Sequence, residues 1–156
     1  MDKKIRFIVQ AGVIGAIYAV LTIVFAPISY GEIQVRISEA LTVLPYFTPA
    51  AIPGLFIGCI VANIYGGLGI IDIVFGSLAT LLAASFSYLL RRFKYLIPLP
   101  PVVINAVVVG FILNVTLDLP LFMSMLWVGL GQLIACYGLG LIVMFGLEPM
   151  KNKIFR

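Results

Sequence analysis

Glu32, Gln34, Arg36 and Glu39 fall within eight positions of the segment YGEIQVRISEAL, Tyr30 to Leu41, in a chain that otherwise avoids polarity. Carboxylates beside an arginine and a carboxamide are equipment for holding a polar solute. Each carboxylate can accept charge-assisted hydrogen bonds from a cation or from paired N–H donors. Ile33, Val35 and Ile37 alternate with Glu32, Gln34, Arg36 and Ser38. If the segment is extended, the polar side chains share one side; if it is helical, Glu32 and Arg36 stand four apart and can pair. Two further carboxylates lie in apolar surroundings, Asp72 and Asp118, and Asn114 stands one helical turn before Asp118. Asn63, Asp72 and Trp127 are expected at similar depth, with Tyr30 and Trp127 able to stack on a ring. Trp127 equally suits an aromatic anchor at a membrane interface. Asn105 and Gln132 are expected deeper, making interhelical hydrogen bonds.

Most other chemistry is excluded by composition. Of 156 residues 63% are hydrophobic and 10% charged, and mean hydropathy is +1.20. A soluble domain carries about a quarter of its residues as charges, so the chain reads as an all-α integral membrane protein forming a single membrane domain over residues 1–156. Histidine is absent, which removes the usual general base and the commonest metal ligand. Cys59 and Cys136 are far apart in apolar runs and read as buried free thiols. No phosphate-binding loop of the form GxxxxGK[ST] occurs. No catalytic residue, cofactor or metal is expected. The net charge of +4 does not imply nucleic acid, because in a membrane protein the placement of charge matters more than its sum.

That placement predicts the topology. Nine of the ten basic residues form three clusters: Lys3, Lys4 and Arg6; Arg91, Arg92 and Lys94; Lys151, Lys153 and Arg156. Basic loops stay in the cytoplasm, and all three clusters share a side only if even numbers of crossings separate them. The stretch 37–65, interrupted by Pro45, Pro49 and Pro53, must then cross twice. Six helices follow, at about 5–25, 37–47, 52–65, 70–90, 102–117 and 119–147, with both termini cytoplasmic and an outer lid loop at about 26–36. The short second and third helices would sit against a protein-lined or water-filled cavity. In this topology Glu32, Glu39, Asp72 and Asp118 lie at the outer end with only Arg36 to offset them, a formal charge of −3. Charges near hydrocarbon are expensive and are retained where they face a cavity or one another. An acidic cavity favours a cationic solute or one rich in N–H donors. The competing reading leaves the four acids in water as ordinary loop residues.

Helix 1 carries a small-residue stripe, Ala11, Gly15 and Ala19 with Gly12 and Ala16 beside it, which would let another helix approach closely. It serves either a partner subunit or packing within the bundle, as does the pair Gly54 and Gly58.

Six short helices, a charged loop after the first, the stripe on helix 1 and the lack of an ATPase motif resemble the substrate-binding S components of energy-coupling factor (ECF) transporters. Within that group the chain resembles the QueT family, through AGVIGAIYAVLT, GEIQVRISEALTVLPYFTPAAIPGLFIGCIVANI and DIVFGSLATLLAA. Glycine replaces some alanines of the usual AxxxA pattern, as in Gly12-x-x-x-Ala16. The resemblance implies a multi-pass subunit of the bacterial cytoplasmic membrane that captures its solute outside. It also implies docking on a transmembrane T component coupled to two cytosolic ATPases, and toppling to release the solute inside. The implied solute is the queuosine precursor 7-aminomethyl-7-deazaguanine, a cationic deazapurine. The alternatives are an S component for another vitamin or modified base, an autonomous carrier, and a membrane enzyme holding a metal through carboxylates.

Overall fold

The computed structural model describes residues 2–30 and 34–155, and among these the chain is all helical. Helix α1 (Lys3–Val24) starts at Asp2, whose carboxylate accepts the Lys4 N–H at 3.4 Å. After the short α2 (Ala26–Ser29), residues 34–36 are non-helical, with Arg36 extended, and lead into a 3-10 helix, Ile37–Tyr46. Helix α3 (Ala51–Gly66) follows, with Pro53 in its first turn, where a missing N–H is harmless. Gly67 ends it at φ +70, a conformation that glycine adopts without a Cβ penalty. A π-helical turn, Asp72–Gly76, runs directly into α4 (Ser77–Leu89). Helix α5 (Leu99–Leu117) opens with two prolines in its first turn. The last stretch is α6 (Leu121–Gln132), a π segment (Leu133–Leu139) and α7 (Gly140–Leu147), closed by the short α8 (Lys151–Ile154).

Four stretches are long and apolar enough to cross a membrane: Lys3–Val24, Asp72–Leu89, Lys94–Leu117 and Leu121–Ile154. The other two elements are shorter. Ten residues of 3-10 helix advance about 20 Å and the sixteen of α3 about 24 Å, against roughly 30 Å of hydrocarbon.

The bundle is inverted relative to a soluble domain. Ile8, Val24, Ile64, Leu89 and Ile142 are each at least 60% exposed, while Arg36, Glu39, Asn63 and Asp72 are 4% exposed or less. The apolar core, including Tyr18, Val43, Leu44, Leu55 and Met144, joins α1, the 3-10 helix, α3 and α7. At one end Lys94 pairs with Glu148, Tyr46 donates to Glu148 at 3.1 Å, and Lys151 lies 4.3 Å over the Tyr46 ring. The Phe47 and Phe155 rings stack there at 5.0 Å, and Thr48 donates to Gln10 at 2.9 Å. Asn63 lies twelve residues further along α3, about 18 Å away, and marks the opposite, polar end.

The most extensive helix pairing is α1 with α3. A Cβ on Gly15 would lie 2.8 Å from the Gly54 carbonyl oxygen, and one on Gly58 would lie 2.6 Å from that of Gly15. Ala11, Gly15 and Ala19 are therefore committed to packing inside the bundle, whereas Gly12 and Ala16 face outward and nothing lies within 4 Å of a Cβ on Gly12. The stripe that sequence treats as one docking surface divides along the helix axis into two faces. Gly58→Val is expected to lower the thermal midpoint of the detergent-solubilised protein by several degrees, about 1–3 kcal/mol of overpacking. Gly12→Val should stay within about 0.5 kcal/mol of wild type.

Candidate functional site

The segment 34–36 brings the first site residues inside. Gln34 and Arg36 are 1% and 4% exposed, and Val35 between them is half-buried. The period-two pattern thus turns polar groups inward, the reverse of a strand on a water-facing sheet. The Val35 N–H bonds to the Ile28 carbonyl at 3.0 Å and holds the segment against α2. Gly131 on α6 admits the Gln34 backbone, because any Cβ there would strike its carbonyl.

Arg36 is the pivot. Its Nε donates to the Ser29 carbonyl at 3.4 Å and its Nη1 to Asn63 Oδ1 at 3.0 Å, while its guanidinium lies 5.5 Å over the Tyr30 ring. Asn63 in turn donates from Nδ2 to the Asp72 carbonyl at 3.0 Å. One carboxamide thereby ties segment 34–36, α3 and the π turn together. Tyr30 is fixed by its hydroxyl, which donates to the Ala62 carbonyl at 2.6 Å.

Glu39 occupies a separate position. Tyr18 donates to its Oε1, and Asn105 Nδ2 donates to its Oε2 at 3.2 Å. Its backbone carbonyl accepts the Thr42 hydroxyl at 2.6 Å and the Cys136 thiol at 3.6 Å. Asn105 is the seventh residue of α5, and Cys136 lies sixteen residues into the last helical stretch. Glu39 is therefore enclosed between α1, α5 and the last helical stretch, beside Tyr18, Asn105 and Cys136. The 3-10 helix begins at Ile37, so Glu39 lies in its first turn, about 6 Å along the chain axis from Arg36.

Five of the sequence-predicted site residues, Gln34, Arg36, Glu39, Asn63 and Asp72, are thus buried in this interior, with Tyr30 beside them. Glu32 lies outside the described residues. Asn114, Asp118 and Trp127 stand apart. Asn114 donates to the Leu119 carbonyl at 2.6 Å, and Asp118 is exposed at φ 54, ending α5 in a left-handed conformation that short polar side chains tolerate. Trp127 is 37% exposed on α6. Their spacing follows from closing a helix and turning the chain. Gln132 accepts the Cys136 thiol one turn along its own helical stretch, at 3.4 Å, whereas Asn105 makes its bond between helices. Tyr18 escaped the sequence reading, and its only signal was a hydroxyl in the middle of an apolar span. Ser29 and Ser77, too small to stand out, are also buried there.

The hydrogen-bonding inventory of this cluster is incomplete. Buried atoms without a protein partner are Gln34 Nε2, Arg36 Nη2, Asn105 Oδ1, the hydroxyls of Ser29 and Ser77, and both carboxylate oxygens of Asp72. Buried polar groups are nearly always paired, and each such orphan costs about 1–3 kcal/mol. Arg36 has no carboxylate within 4.0 Å among the described residues. With Glu39 deeper in the bundle included, one cation and two carboxylates give the buried polar residues a formal charge of −1. Such a cluster can take a small polar molecule that brings both donors and acceptors and one positive charge. Asp72→Asn is expected to raise the stability of the ligand-free protein by about 1–2 kcal/mol, by removing an unpaired buried charge. Tyr18→Phe should lower it by about 1–3 kcal/mol, by leaving Glu39 Oε1 without its donor. Thermal unfolding in detergent reads both.

No solved structure matches the chain. The Queuosine precursor transporter QueT of Lactococcus lactis subsp. cremoris (strain MG1363) is 37% identical over 95 residues, which cover 59% of this chain and 56% of that protein. The chain thus matches little more than half the length of this curated relative. The family described as QueT transporter matches residues 8–149. With that match over most of its length, the chain belongs to the QueT transporter family, and four of its helical stretches are long and apolar enough to cross a membrane.

Proposed function

We propose that the protein is the substrate-capture S component of an ECF-type importer in the bacterial cytoplasmic membrane. Its solute is 7-aminomethyl-7-deazaguanine, and the solute enters the cluster around Arg36, Asn63 and Asp72. The observation that carries this reading is the set of buried, unpartnered donors and acceptors with a formal charge of −1. The aminomethyl group supplies the missing positive charge. The lactam edge supplies N–H donors, and its oxygen and ring nitrogen supply acceptors. The name of the Lactococcus relative points to the same solute class. In this reading the chain crosses six times, with the short 3-10 helix and α3 making the second and third crossings. The polar end then faces outward, and the basic clusters around Lys94 and Lys151 face the cytoplasm.

Energy comes from a T component and two cytosolic ATPases, which topple the loaded subunit. The face of α1 carrying Gly12 and Ala16, free of contacts within the bundle, is where the T component docks. Gly15 and its neighbours are already engaged by α3.

Mass spectrometry of the solute that co-purifies with the protein should identify a 7-deazaguanine; a vitamin in its place would reassign the solute. In calorimetric titration the aminomethyl compound should bind about 10–100-fold tighter than the uncharged cyano analogue, through the attraction of its positive charge to the net −1 of the buried residues. Equal affinities would remove the electrostatic basis of the proposal. Gly12→Leu should leave that affinity unchanged and reduce ATP-driven uptake in liposomes containing the T component and both ATPases. Uptake by the purified chain without them would instead indicate an autonomous carrier.

A further inference from the structure

We infer that the two buried acids have separate duties: Asp72 receives a paired N–H edge of the solute, and Glu39 is a positioning residue that the solute does not touch. This rests on reading the cluster as the solute chamber, and it assigns within that chamber what charge alone leaves open. Asp72 is fully buried, yet neither of its carboxylate oxygens has a hydrogen-bond partner or an ion-pair partner among the described residues. The oxygens of Glu39 are each engaged, one by Tyr18 and one by Asn105. A carboxylate already supplied with donors is a poor receiver for a ligand, because a new donor must displace an existing one. A carboxylate with both oxygens bare is a bidentate receiver awaiting a fork of two parallel donors.

Local geometry aims Asp72 at this task. It opens a π-helical turn, a rare element that occurs mostly as single-turn insertions at functional sites. That turn buries Asp72 and leaves Ile71, Val74 and Phe75 exposed. Its backbone carbonyl is held by Asn63 Nδ2, so the side chain departs from a fixed point. One turn on, Gly76 leaves room for the carboxylate: a Cβ there would stand 2.8 Å from Asp72 Oδ1 and 2.9 Å from Asn63 Nδ2. Asn63 also anchors Arg36 Nη1, which keeps the base at a set distance from the acid and leaves Nη2 unpartnered. An acceptor pair and a free donor bridged by one carboxamide complement a flat ring edge carrying an amino group, a lactam N–H and an adjacent carbonyl. The carboxylate takes the two N–H groups, and Arg36 Nη2 takes the carbonyl oxygen. The solute class is therefore a 2-aminopyrimidinone-type heterocycle. The 2-amino group is a recognition element separate from any positive charge elsewhere on the molecule.

The decisive measurement is a cycle of two proteins against two ligands by calorimetry in detergent. The ligands are 7-aminomethyl-7-deazaguanine and its analogue lacking the 2-amino group. Wild type should prefer the 2-amino compound by about 50–100-fold. Asp72→Asn should reduce that preference below about fivefold. Glu39→Gln should weaken both ligands alike and leave the preference intact, a ratio that a general loss of structure cannot move selectively. Asp72→Ser replaces Asp72→Asn if the latter does not give monodisperse protein. Preference lost in Glu39→Gln and kept in Asp72→Asn would overturn the assignment while leaving the solute identity standing. If wild-type protein binds neither deazapurine, both the solute identity and the assignment fall.

Discussion

A guanidinium buried in a protein whose outer surface is hydrocarbon must be satisfied from within, and the polar end of this bundle is organised around that requirement. Water solvates the stray charges of a soluble domain, but lipid does not, and the cost of an unanswered charge is several kcal/mol. Arg36 is answered by the Ser29 carbonyl, the Asn63 carboxamide and the face of Tyr30. Those contacts join segment 34–36 to α3, and Asn63 carries the connection on to the π turn at Asp72. Arg36 thus ties residues 34–36 to α3, in addition to the Val35–Ile28 backbone bond that holds them against α2.

Two kinds of helix distortion serve this arrangement. The 3-10 segment Ile37–Tyr46 is far longer than the three or four residues usual for that geometry. It takes Glu39 inward quickly, and the Thr42 hydroxyl occupies the Glu39 carbonyl that the tighter winding serves poorly. Pro45 inside the segment removes a backbone donor and so favours departure from regular α-helix. The π turn at Asp72–Gly76 leads into α4, and its first residue is held to α3 through the Asn63 carboxamide. Each stretch carries a buried acid in its first turn, Glu39 or Asp72, while α1 and α3, which provide the frame, are regular and locked by glycine contacts.

The helix frame is closely packed, whereas the buried polar residues are incompletely paired. Between α1 and α3 the backbones touch, and the core around Tyr18, Leu55 and Met144 is fully buried. Among the described residues seven buried side-chain atoms, six around residues 29–36 and 72–77 and one on Asn105, have no hydrogen-bond partner in the protein. In the proposed reading the solute supplies the missing bonds, and the stability forgone without it is returned as affinity with it.

Composition alone was enough to determine that this chain lives in a membrane, since 10% charged residues cannot coat a surface in water. The clustering of Glu32, Gln34, Arg36 and Glu39 in so apolar a chain also made the segment after helix 1 legible as special, because rarity of charge is visible without coordinates. Spacing could not say how deep a residue lies, because depth depends on rise per residue, and the 3-10 winding that buries Glu39 has no clear periodic signature. Nor could it separate Asp72 from Asp118, two aspartates in similar apolar settings: one is turned inward by a π insertion, and the other ends a helix in the open. The division of the α1 stripe into an engaged and a free face, and the pairing of Tyr18 and Asn105 with Glu39 rather than with Asp72, were decided only by the packing of distant segments. Hydrogen bonds depend on distances between such segments, and a sequence orders residues along the chain without fixing those distances.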